Sequence, residues 1–325
     1  MKKYLSTSVC VMALVTASTG QAFAQEYLDE VPTGIENFTV APSLLQTISD
    51  VLPEETGQID QNFLNQTYDP NISLSLDSQL AITFIDEGAG YRNSLGYFSY
   101  TNDSFSALTF GDIDTDNSGR ISTSEIDSVS GVSANMVFPN SSKSGSGGLL
   151  NMGDTYVFGG GDLEFTVDSW EITNGTVFDA GTNVGFFLAA NAWNDYGSVG
   201  TVDGWDGTAG DPYTYYSLDF LNPENDVDAT IDTINYNARH VALTFESDDR
   251  NTLIMGFEDL HRLYGSDDDF NDAVFLVRSD PTGAMAGTNV EVYSAPAPLA
   301  GCGFISMVIL LMTGILRKTG LHVAV

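Results

Sequence analysis

Between Leu80 and Val277 the chain is written as short apolar runs separated by Gly, Asn, Asp and Ser, and this punctuation is the strongest constraint on its fold. The runs are Leu80–Ile85, Leu95–Tyr100, Thr155–Phe158, Leu163–Val167, Val184–Ala189, Val241–Phe245, Thr252–Phe257 and Ala273–Val277. Segments this short, bounded by turn residues, read as strands, and a parallel βαβ fold would need helical patterns between them that are missing. The expected fold is therefore mainly β: an antiparallel β-sandwich or jelly roll. One helix is expected at Pro42–Val51, where Leu44, Leu45, Ile48 and Val51 recur at helical spacing. No fixed-period repeat is visible, which argues against a solenoid.

Charge narrows the choice of partner. The 325 residues include 44 acidic and 11 basic ones, a formal charge of -33, yet 42% are hydrophobic and 11% aromatic. That is too apolar for an acidic disordered chain. Residues 25–300 hold all 44 acidic residues and only seven of the basic ones. With no cluster of Lys and Arg to meet phosphates, nucleic acid is not an expected partner, and the same deficit argues against an anionic membrane surface. Asp outnumbers Glu by 31 to 13. Asp favours turns over helices, and its short carboxylate is a hard oxygen ligand, so loop-rich β structure with divalent cations is expected.

The two ends read differently from the body. Residues 1–24 have a basic start, an apolar stretch and a small-x-small site at Ala22-Phe23-Ala24, the pattern of a secretory signal peptide. Cys10 leaves with that segment and Cys302 lies near the other end, so the mature chain has no intramolecular disulfide to stabilise it. After a Pro/Ala segment, Leu299–Leu316 is an apolar run followed by Arg317-Lys318. Eighteen residues at helical rise span about 27 Å, enough to cross a hydrocarbon core with the basic pair on the cytoplasmic side. This tripartite tail resembles the PEP-CTERM class of bacterial sorting signals, including variants with a VPLPAG-type box. Ala295–Gly301 keeps the two prolines and the Ala-Gly without the central glutamate. The resemblance implies recognition by exosortase, a membrane transpeptidase of bacteria that make exopolysaccharide; an uncleaved anchor is the alternative. The expected layout is a signal peptide at 1–24, an N-terminal segment with a short helix at 25–78, a β domain at 79–280, a linker at 281–297 and a sorting or anchor segment at 298–325.

Two acidic motifs carry candidate chemistry. DTDNSGRISTSE, Asp114–Glu125, fits the twelve-residue EF-hand loop. Asp114, Asp116 and Ser118 stand at the first, third and fifth ligand places, and Gly119 stands where the chain turns sharply. Arg120 offers its backbone carbonyl, Ser122 can hold a bridging water and Glu125 closes the loop as a bidentate ligand. Calcium needs six to eight oxygens in flexible geometry, which this spacing gathers. The plainer reading is an Asp- and Ser-rich turn. Ala107–Ile113 upstream reads as a strand, so an EF-like loop is expected and not a paired EF-hand domain.

The second motif spans Leu253–Val277. Two strands joined by a fifteen-residue loop would, if paired as a hairpin, bring Glu258 and Asp259 beside Asn271 and Asp272, with Asp267, Asp268 and Asp269 between. Like charges that close are costly unless protonated, solvated or bridged by a cation, and calcium is the economical answer. A solvated acidic loop is the alternative. GFEDL followed by DDDFNDAVF resembles the signature of the bacterial domain-of-unknown-function family 4114. The stretches Phe84–Phe98, Phe138–Leu150 and Asn237–Phe245 resemble segments of related exported proteins, so the likeness covers most of residues 80–278. It implies a β-sandwich of secreted or surface-attached proteins presumed to bind calcium, and it supplies no activity.

Catalysis finds little support in the residues. His240 and His261 are the only histidines of the body, and nucleophile elbow, zinc-type spacing and phosphate-cradling loop are all missing. Two carboxylates are enough for a glycosidase, so that reading stays open. Trp193, Trp205, Tyr213, Tyr215 and Tyr216 fit either an aromatic core or sugar stacking. The expected protein is a non-enzymatic, calcium-binding surface or matrix protein. Its expected partners are calcium ions, extracellular polysaccharide and exosortase; the alternative is a carbohydrate-binding or carbohydrate-cleaving domain with structural calcium.

Overall fold

The computed structural model describes residues 27–53, 70–165, 170–197, 199–205 and 212–293. The expected signal peptide (1–24) and C-terminal segment (298–325) lie outside the described residues. Among the described residues no helix is long and apolar enough to cross a membrane.

Two antiparallel sheets dominate. The larger runs in the order β14 (Val241–Phe245), β15 (Thr252–Phe257), β16 (Ala273–Asp280), β4 (Gln79–Asp86), β7 (Asp154–Val157) and β2 (Glu36–Asn37). The second runs β13 (Thr214–Tyr216), β10 (Asn183–Ala189), β5 (Ser94–Tyr100) and β6 (Ser133–Phe138), with β3 (Ile72–Ser73) also pairing β10. A three-stranded sheet (β1, Leu28–Asp29; β12, Val199–Val202; β11, Trp193–Asp195) and a hairpin of β8 (Asp162–Phe165) and β9 (Trp170–Thr173) complete it.

The largest core cluster draws on both main sheets: Phe84, Leu253, Met255, Phe257, Phe275 and Val277 from the larger, and Leu95, Tyr97, Phe138, Phe186 and Leu188 from the smaller. The sheets' opposite faces are covered as well. Helix α1 (Pro42–Val51) packs Leu44, Ile48 and Val51 against Ile254, Val274 and Leu276. Phe98, Tyr100 and Tyr216 pack against Phe110, Ile113, Ile121, Ile126 and Phe220. Side chains alternate between faces along a strand, so burial on both faces explains why TLIMGF and AVFLV are almost wholly apolar.

Three local expectations change. Ala107–Ile113 is not a strand: Phe110–Ile113 forms a one-turn helix, α2, because Thr109 and Asp112 satisfy each other's backbone amides in a capping box. A second short helix, α3 (Thr123–Ser128), follows the EF-like loop, so both flanks of the loop are helical. Residues 281–293 are no free linker. Ala284 and Met285 are fully buried, and Phe245 exchanges backbone hydrogen bonds with Glu291 and Tyr293.

Candidate metal centres

In the first loop the sequence folds on its own carboxylates. Asp114 Oδ1 accepts from the Ser118 amide (3.0 Å) and Oδ2 from the Gly119 amide (2.9 Å), while Asp116 Oδ1 accepts from the Ser118 amide (2.9 Å). Gly119 takes φ +77°, a conformation that costs glycine little. Glu125 Oε1 accepts from the Thr115 amide and hydroxyl (2.7 and 2.8 Å), and Oε2 accepts from the Ser122 amide and hydroxyl (both 2.9 Å). Ser122 in turn caps α3. Ser118 Oγ donates to the Arg120 carbonyl (3.0 Å), and the Arg120 guanidinium lies 3.7 Å from the centre of the Tyr213 ring. Asp114, Asp116 and Glu125 bring carboxylate oxygens within 4.8 Å of one another. Hydrogen bonds from Ser118 hold the Asp116 carboxyl below its usual range. Because the Glu125 carboxylate also completes the capping box, Glu125→Gln should cost the fold only about 1 kcal/mol. It should weaken calcium binding at this loop at least tenfold, as calorimetric titration would show.

The second cluster is buried and built differently. β15 and β16 pair antiparallel from Phe257 opposite Ala273 to Thr252 opposite Arg278, so the loop 258–272 leaves and rejoins one hairpin. The loop folds back over its own strand: a Cβ on Gly256 would lie 2.2 Å from the Phe270 carbonyl oxygen, which only glycine allows. Glu258 is fully buried, and neither carboxylate oxygen has a hydrogen-bond partner. Asp259 Oδ2 accepts from Asn93 Nδ2 (2.7 Å), and the Asp259 amide donates to Asp272 Oδ2 (2.7 Å). Asp269 accepts from the Asn271 amide (3.2 Å) and Nδ2 (3.0 Å), so Asn271 braces a carboxylate. Asp268 is turned away to Arg262 Nε (2.9 Å) and Ser266 Oγ (2.8 Å), with positive φ at Asp268 and Phe270 setting the alternation. Asp267 is exposed and shares with Asp269 and Glu258 the second oxygen group of this loop.

Burial and the charge of Asp272 push Glu258 up to about 9, and burial and the charge of Asp259 push Asp272 up to about 7. Asp259 is raised by burial, opposed by the hydrogen bond from Asn93. Beneath the cluster, His240 donates from Nδ1 to the Glu258 carbonyl (3.0 Å), its ring stacked on Tyr215 with centroids 3.8 Å apart. Its Nε2 lies 3.0 Å from Glu224 Oε1, and His261 Nδ1 lies 3.2 Å from the same oxygen. Burial alone would raise the Glu224 carboxyl; the hydrogen bond from His240 and the charges of both histidines hold it below its usual range.

Sequence reasoning missed Glu87, Asn93 and Glu224. Glu87 is buried with Oε1 unpartnered, and burial raises its carboxyl. A signal existed, because Glu87 and Asn93 lie in the stretch Phe84–Phe98. That stretch meets the other two here: Ser141 donates its amide to the Asn93 carbonyl (2.7 Å), and His240 joins Glu258. A cleft of about 220 Å³ adjoins them, its polar edge formed by Asp86, Glu87, Lys143 and Asn271. Trp193, Tyr215 and Tyr216 are core residues, while Tyr213 is 38% exposed.

A family model described as a domain of unknown function (DUF4114) matches residues 178–280, which include the β15–β16 hairpin and the second cluster. The EF-like loop and the stretches around Glu87 and Ser141 precede the match. No curated protein and no solved structure matches the chain.

Proposed function

We propose that this chain is a calcium-binding exported protein of the cell surface or extracellular matrix, without catalytic activity and associated with exopolysaccharide. The observation that carries the reading is Glu258, an acidic side chain wholly buried, with neither carboxylate oxygen in a hydrogen bond of normal geometry, among Asp259, Asp267, Asp269 and Asp272. An ionised carboxylate in such a place needs a cation. Asp114–Glu125 supplies a second site of EF-hand type with ligands contributed by one continuous loop. The two main sheets form a β-sandwich in this reading, with calcium tying the ends of β15 and β16. The signal peptide exports the chain, and the tail holds it at the membrane until exosortase releases it or as a lasting anchor. Equilibrium dialysis of chelator-stripped protein against calcium tests the reading. Retention of calcium at both loops is expected, and retention at neither would overturn it.

A second reading is favoured by the surface beside the cluster. Tyr264 is 79% exposed and Leu263 54% exposed on the loop itself. Exposed aromatics next to calcium suit a glycan ligand. Glycan arrays with and without calcium, alongside hydrolysis assays on purified polysaccharides, separate simple binding from cleavage.

A further inference from the structure

Acidic side chains crowded on a surface need no ion, because water and salt screen them. The β15–β16 loop is a different case. Its central carboxylate, Glu258, is fully buried and both Oε1 and Oε2 lack a partner. Leaving a buried polar group unsatisfied is costly, and for a charged one more so. Both oxygens therefore ask for a cation.

The carboxylates around Glu258 fall into two groups of three. Glu258, Asp259 and Asp272 form one, Glu258, Asp267 and Asp269 the other, and within each the ligand oxygens lie within 4.8 Å of one another. Oxygens sharing one calcium at about 2.4 Å can stand at most about 4.8 Å apart, so each group has the dimensions of one coordination sphere. Glu258 is the only member common to both. We propose that this loop holds two calcium ions bridged by Glu258, one completed by Asp259 and Asp272 and the other by Asp267 and Asp269. The proposal rests on the calcium reading above and goes further in the number of ions and the role of Glu258.

Charge supports two ions over one. A single divalent ion among five carboxylates leaves three negative charges uncompensated in a largely buried site, and a second ion leaves one. The guanidinium on the same loop does not supply the difference, since Arg262 is engaged by Asp268 and by the Tyr236 and Arg239 carbonyls. The ligands are also held in advance. Asn93 fixes Asp259, the Asp259 amide fixes Asp272, and Asn271 fixes Asp269. Asp268, the one acidic residue of the run outside both groups, is the one paired to a base.

The test is a calcium count on the full chain, stripped with chelator, dialysed against calcium and assayed by atomic emission. Three ions per chain are expected, one of them lost in Glu125→Gln. A count of two, falling to one in Glu125→Gln, would keep the calcium reading and overturn the bridged pair; a count of zero would overturn both. Replacing Asp267 and Asp269 together by Asn should remove one ion, and Glu258→Gln should remove two; an unchanged count in Glu258→Gln would overturn the bridge. Manganese(II) gives a reading that needs no variant. Two manganese ions sharing a carboxylate couple magnetically, so a spin-coupled electron paramagnetic resonance spectrum is expected, and signals of isolated ions alone would overturn the proposal.

Discussion

Raising the pH of the calcium-free protein from about 5 to about 9 is expected to lower its stability by on the order of 5 kcal/mol. Glu258 is held at about 9 against an ordinary 4.5, and Asp272 at about 7 against 3.8. Between the ordinary and the raised values the folded chain keeps protons that the unfolded chain has released. Stability must then fall with rising pH across that window. Glu224 and Asp268, held low by their basic neighbours, add stability that is present above their ordinary range and is lost only in acid. Bound calcium removes the reason for holding those protons, so the stabilisation it confers should grow with pH over the same window. Thermal melts at a series of pH values, with calcium and with chelator, would show the two curves diverging. Glu258→Gln should flatten the chelator curve, and a calcium-free stability that rises from pH 5 to pH 9 would contradict the assignment.

Arg239→Ala is expected to cost about 3–5 kcal/mol, a loss as large as that of a core aromatic. Arg239 and Asp219 form a two-point ion pair, Nε to Oδ1 at 3.2 Å and Nη2 to Oδ2 at 2.7 Å, with side chains 2% and 1% exposed. Removing the guanidinium leaves Asp219 buried and unpaired. Replacing both residues, Arg239→Met with Asp219→Leu, should cost clearly less than the single change, because no charge is stranded. The pair also braces the segments beneath loop 258–272. Asn222 Nδ2 donates to the Ala238 carbonyl (2.6 Å), and Asn225 donates to the Asp219 carbonyl, so residues 219–225 are pinned to the segment that carries His240. Glu224 reaches His240 from there. Denaturant unfolding measures the stability cycle, and calcium titration of the single variant should show weaker binding at loop 258–272. A double variant as unstable as Arg239→Ala would contradict the stranded-charge explanation.

The apolar runs announced the strands they form because each is buried on one or both faces: six lie wholly in observed strands, Thr155–Phe158 runs one residue past β7, Leu163–Phe165 lies in β8 with 166–167 outside the described residues, and Pro42–Val51 is the helix expected. β6 was harder to see. Its sequence SANMVF mixes polar and apolar residues, since Ser133 is exposed while Val137 and Phe138 enter the core. Helix α2 was misread for a related reason. Four residues carry no periodicity, and the capping pair Thr109 and Asp112 decides the conformation. The tail of the domain, 281–293, mixes Gly, Thr and Ala behind Pro281 and looked like a linker, yet Ala284 and Met285 fill a gap in the core that only the assembled sheets create. The convergence of Asp114, Asp116 and Glu125 was legible because all three sit within twelve residues. The second was legible only as a crowd of acids. Which of Asp267, Asp268 and Asp269 face Glu258 depends on backbone conformation at Asp268 and Phe270, and the support from Asn93, Glu224 and His240 comes from residues distant in sequence.

The most direct measurement is the melting temperature of the chelator-stripped protein in calcium, compared with sodium chloride of matched ionic strength. Ion at a hundred times its dissociation constant stabilises by about 2.7 kcal/mol per site, and sites of extracellular type bind at about 0.1–1 mM. Calcium at about 10 mM, about 10–100 times those constants, should therefore raise the melting temperature well beyond the salt control, with Glu258→Gln losing most of the rise and Glu125→Gln keeping most of it. An equal rise in sodium chloride, or no rise in either, would contradict specific calcium binding.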